Sequence, residues 1–205
     1  IAGMETTDVA VLSTSQLSAL SATQVQALKT AQVAALTTEQ AGSLSTTQIA
    51  ALSSAQVAAI ETADLVNLTT TQIASITAAQ VVNLTTQQIV ALTTTQAAAL
   101  TSAQAPSLTV SQLQSVETQD LAKLTTDAVK SLMATQAKSL TTDQVAALTT
   151  AQIAAIETAK LAELTTAQVV ALTTQQMAGL TTAQLANMTS AQVAALETRD
   201  VVNLS

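Results

Sequence analysis

Leu148-Thr149-Thr150-Ala151-Gln152-Ile153-Ala154-Ala155-Ile156 carries the architecture of this 205-residue chain in nine positions. Thr149 followed three residues later by Gln152 is a capping box. The Thr hydroxyl accepts from the third helical N–H, and the Gln side chain reaches back to the N–H of the cap residue. Leu148 before the cap and Ile153 four residues after it are the two ends of a hydrophobic staple. Ile153 and Ile156 then lie at i and i+3 on one helical face. A strand fits poorly, because Leu148 and Ile153 are five apart and Ile153 and Ile156 three apart, so alternation sends them to opposite faces. The Ala-Ala pair is also weak strand material.

The same nine-position pattern extends in both directions without a break in phase. The places that match Leu148 (Met4, Leu12, Leu20 and so on to Leu204) are Leu at 20 of 26 positions, the others being Ile60, Ile76, Ile156, Val116, Met4 and Met188. The places that match Ile153 (Val9, Leu17, Val25, Val33 onward) are apolar throughout. Those that match Gln152 are Gln at 19 of 25, and those that match Thr150 are Thr or Ser at 21 of 25. The consensus octad is Leu-Thr-Thr-x-Gln-Val-Ala-Ala. A fixed short period of this kind is the signature of a repeat architecture. It predicts one continuous solenoid over residues 1–205, about 25 octads, with no separate domain and no linker.

A single long helix is excluded by arithmetic. Eight residues turn through about 800°, so the apolar stripe advances by about 80° per octad and faces no fixed partner. Short helices of about six residues, one per octad, are too short to be stable alone and must stack to bury their Leu/Val pairs. The expected fold is therefore all-α: a superhelix with an aliphatic core and three or four octads per turn, the pattern leaving that number open. With successive turns about 8–10 Å apart, such a chain makes a rod of roughly 50–80 Å. Pro106 falls inside an expected helix and should distort its octad.

A second pattern overlies the first. Glu replaces the cap Thr at Glu5, Glu61, Glu117, Glu157 and Glu197, and the Gln column changes in the same octads to Asp8, Asp64, Asp120, Lys160 and Asp200. The first three lie 56 residues, or seven octads, apart. Ala22, Ala78 and Ala134 keep the same spacing. Growth by blocks of seven octads leaves such a trace, and whole-unit gain and loss is how solenoids vary. Glu is a weak cap, so Thr6, Thr62, Thr118, Thr158 and Thr198 are the expected caps in these octads.

The composition removes many functions. The chain has no Phe, Trp, Tyr, His or Cys, so disulfides, thiolate or imidazole metal sites, Cys nucleophiles and aromatic base stacking are out of reach. Its 6 basic and 13 acidic residues give a net charge of −7, which argues against nucleic acid as a partner. No apolar run approaches the length of a spanning helix, so no membrane insertion is expected. The lysines Lys123, Lys130, Lys138 and Lys160 are interleaved with Asp120, Asp127, Asp143 and Glu163 and read as a solvated mixed-charge face. The acidic octads lack a glycine-bearing calcium loop and read as capping variants rather than as a metal site. The Gln column reads as capping or as side-chain hydrogen bonds stacked between turns. No catalytic residue, cofactor site or metal site is assigned, and the chain reads as no enzyme.

The run Leu148 to Ile156 resembles the octapeptide tracts of very long bacterial surface or secreted proteins of adhesin type. The resemblance covers almost the whole chain, and it implies a stalk or spacer at the cell surface or outside the cell, whose partners are neighbouring repeats or domains of a longer chain. The resemblance does not account for the Glu-Thr-x-Asp octads. Neither Met4 to Leu12 nor Leu196 to Leu204 carries a polar residue at a core position, so neither end reads as capped. Stacking of such ends into filaments is the second functional reading, and a repetitive ice-, glycan- or cation-binding face the third.

Overall fold

The computed structural model describes residues 1–196. Among these it contains 23 short α-helices and no strand. The helices are four to six residues long, one to an octad, as in Thr37-capped Thr38–Ser43 and Thr149-capped Thr150–Ala155. Where a helix runs to six residues, the Leu, Ile or Val that closes it takes extended backbone, as Leu44 does at φ −63° and ψ 133°, and so delivers the chain to the next cap. The architecture is a helical repeat solenoid. The chain forms two compact units, Ile1–Ala99 and Leu100–Ser205.

The cap sits where the octad places it. In most octads the Thr or Ser hydroxyl accepts from the Gln N–H three residues on, and the Gln Oε1 accepts from the cap N–H, as with Thr141 and Gln144 at 3.1 Å each way. The Glu octads depart from expectation. Glu5, Glu61, Glu117 and Glu157 themselves occupy the N-cap positions, and Thr6, Thr62, Thr118 and Thr158 are first helical residues rather than caps. The backbone of each octad is held in phase by its Leu and Val pair, so a poor cap side chain does not move the helix start. Thr198, like Asp200, lies outside the described residues. Pro106 has the expected effect: its octad keeps the Thr101–Gln104 capping bonds but forms only a 3-10 turn, Ala105–Ser107.

In the first unit each helix packs on the third one along, as Ala22–Gln26 does on Thr46–Ala51, and Thr46–Ala51 on Thr70–Ser75. The second unit follows the same rule, for example Thr126–Ser131 on Thr150–Ala155. The Gln side chains, however, reach the end of the fourth helix back. Gln72 donates to Leu44 O, a separation of 28 residues. Helix packing on the third helix along and Gln bonds reaching 28 to 31 residues back place one turn between three and four octads, the two values that the sequence left open. The core is lined by the two aliphatic columns, with Ile49, Val57, Leu65, Leu113, Leu121 and Ile153 all fully buried. Leu12 and Leu20 in the first turn are only half-buried, Leu28 to Leu180 in the same column are covered, and Met188 and Leu196 are again half-buried.

Candidate functional site

The polar chemistry of the protein is concentrated in the Gln column. From Gln32 onward its glutamines are buried, Gln40 being 2% exposed. A buried amide must satisfy its donors and its acceptor within the protein. Gln40 does so completely. Its Oε1 accepts from Thr37 N–H at 2.8 Å, and its Nε2 donates to Val9 O at 2.8 Å and Leu12 O at 2.7 Å. One side chain thus caps the start of its own helix and the end of a helix one turn earlier, where carbonyls have no intrahelical donor. Gln80, Gln88 and Gln56 repeat the arrangement in the first unit, and Gln144, Gln152 and Gln176 in the second. Capping and turn-to-turn bonding, which the sequence offers as alternatives, are both performed by the same group. Gln16 and Gln24 are exposed and make only the capping bonds.

Substitutions in this column change what it can do. Asp64 is 4% exposed and accepts from the Thr38 hydroxyl at 2.7 Å, but a carboxylate has no proton to give to a carbonyl. Asp120 is likewise buried, whereas Asp8 in the first turn is exposed and accepts from Glu5 N–H at 3.0 Å. Lys160 keeps half of the Gln role: its ammonium donates to Lys130 O at 2.6 Å and lies 3.4 Å from Glu157. Ala128 drops the role altogether, leaving Thr125 to cap alone.

The acids do not converge on a metal site. Among the described residues no group of three or more His, Cys, Asp or Glu is placed to hold an ion. Glu5, Glu61, Glu117 and Glu157 are exposed. Glu61 borders a shallow groove of about 310 Å³ shared with Thr62, Thr85 and Gln87. Lys123, Lys130 and Lys138 are exposed, and Lys138 pairs with Glu163 at 3.8 Å with more than half of each side chain in solvent. Such a pair is worth about 0–1 kcal/mol. The hydroxyls of the cap Thr column are engaged with backbone N–H groups, as at Thr69 and Thr173. Among the described residues no helix is long and apolar enough to cross a membrane.

Short helices stacked by an internal amide ladder define a helical repeat protein. Residues 1–38, 57–94, 113–150 and 146–182 match the ALTTAQ repeat, and together they cover more than two thirds of the sequence. The chain belongs to the ALTTAQ repeat family, whose signature stands unaltered at Ala147-Leu148-Thr149-Thr150-Ala151-Gln152. No curated protein matches it.

Proposed function

We propose that this chain is a non-enzymatic structural segment, a stiff spacer or stalk within a bacterial surface or secreted protein. The observation that carries the reading is the buried Gln ladder. Wherever the column holds a buried Gln, each turn bonds to the turn before it in the same way, as at Gln40, Gln56 and Gln80. Length can therefore grow by whole repeats at little cost in folding, as expected where units contact only their neighbours. The polar residues outside the ladder are solvated singly or in weak pairs, an arrangement suited to a body that holds other parts apart.

The test is small-angle scattering over a concentration series, on this chain and on a version with 56 added residues copied from 5–60. A spacer predicts an elongated particle of constant cross-section whose length rises in proportion to the added repeats and does not change with concentration. A compact particle refutes the spacer. Growth in length with concentration replaces it with the end-to-end filament reading. Placement at the cell surface is tested separately, by antibody labelling of intact against permeabilised cells; labelling only after permeabilisation refutes it.

A further inference from the structure

We propose that the Thr62–Leu65 octad is a built-in opening seam in the first unit, at which the turn containing Asp64 parts from the turn beneath it before neighbouring turns do. The proposal rests on turn-to-turn bonding alone and holds whether or not the chain serves as a spacer. On either side of the seam the ladder is complete. Gln56 donates to Val25 O and Leu28 O at 3.1 and 2.7 Å, and Gln72 donates to Gly42 O and Leu44 O at 3.1 and 2.6 Å. By the same register position 64 faces the ends of Val33 and Leu36. There the side chain is a carboxylate with no proton to donate, set toward carbonyl oxygens that are also acceptors. The cap is lost at the same place: Glu61 makes no side-chain cap bond, and the reciprocal capping box is absent.

The Thr38 hydroxyl bond to Asp64, 2.7 Å long, links this helix to Thr38–Ser43, the third helix back, and offsets part of the loss. It leaves Leu36 O without the donor that Gln supplies elsewhere, and a carboxylate 4% exposed with one hydrogen bond. A buried charge so sparsely bonded costs more than a buried amide with all its bonds made. Local opening follows local stability, so the free-energy minimum for separation falls here.

The test is hydrogen–deuterium exchange on the full chain, read at residues 30–36 and 62–68 and compared with 22–28 and 54–60. The expected result is exchange about tenfold or more faster in the first pair, as follows from two missing hydrogen bonds. Asp64→Gln should slow the first pair to the rate of the second, a gain that a merely disruptive substitution cannot mimic. Gln72→Asp should create a second fast pair at 38–44 and 70–76. Equal exchange in the native chain, or an Asp64→Gln variant that exchanges as before or faster, overturns the proposal.

Discussion

Replacing Gln80 by Met tests whether the ladder holds the turns together. The substitution keeps the length and flexibility of the side chain and removes only its polar end. Gln80 is 3% exposed; its Oε1 accepts from Thr77 N–H at 2.6 Å, and its Nε2 donates to Ile49 O at 2.9 Å and Leu52 O at 2.6 Å. Ile49 O keeps a second donor, Leu52 N–H, so its loss is small. Thr77 N–H and Leu52 O lose the Gln partner on which each depends. Leu52 O, left unsatisfied in the core, costs about 1–3 kcal/mol, and the part-buried Thr77 N–H adds about 1 kcal/mol or less. The apolar end of Met recovers about 1 kcal/mol by burial. The control is Gln24→Met, where the amide is exposed and only the 2.8 Å bond from Ser21 N–H is lost, at a cost of about 1 kcal/mol or less. Urea unfolding followed by far-ultraviolet circular dichroism gives the overall effect, since the chain lacks Trp and Tyr. A solenoid need not unfold in one step, so hydrogen exchange at residues 46–52 and 77–84 reads the local effect. If the two substitutions cost the same, the inter-turn bonds contribute nothing and the ladder is only a set of caps.

Three further outcomes follow from single contacts. Ser53→Ala removes the hydroxyl that accepts from Gln56 N–H at 3.2 Å, and should lower stability by about 1 kcal/mol in the same unfolding experiment. Gly42→Ala places a methyl no nearer than 3.9 Å to Asn67 O, inside Thr38–Ser43, and should raise stability by about 0.5–1 kcal/mol. Gly179→Ala drives its methyl into the Thr150 methyl, so it should destabilise by about 1–3 kcal/mol, and Thr150→Ser in the same chain should recover most of the loss.

The sequence revealed what is local to an octad. Cap, staple, helix length and the aliphatic core are all set by residues within nine positions, and Thr149, Gln152, Ile153 and Ile156 predict them directly. Of what lies one turn away it offered only that the Gln column bonds between turns, without the partners. The winding depends on how far Gln72 reaches to Leu44 and on which helix packs against which, and a spacing within the octad specifies neither. For the same reason the burial of Asp64 had no local signal: by its neighbours it is an acid in a first helical turn, a position that usually faces water. The expectation that Thr62 replaces Glu61 as cap ranked side-chain preference above phase. The fixed positions of Ile60 and Leu65 on either side decide the helix start instead.

The longer repeat keeps the phase of the shorter one. Glu5 and Glu61 lie 56 residues apart, and three of the family matches begin at residues 1, 57 and 113. Growth in blocks of seven octads therefore leaves every cap and every Gln in register with its neighbours. Deletions test whether that phase controls the fold. Removing residues 37–92 joins Leu36 to Thr93 and keeps the octad phase, so helix content per residue should be unchanged and residues beyond the junction should keep their exchange protection. Removing residues 37–64 takes out half as much chain but joins Leu36 to Leu65, out of octad phase. Leu65 then follows Leu36 where a cap is required, and the octad at the junction should lose its helix. Equal protection around the two junctions would mean that octad phase does not control the fold, and the account of capping and ladder given above would fail with it.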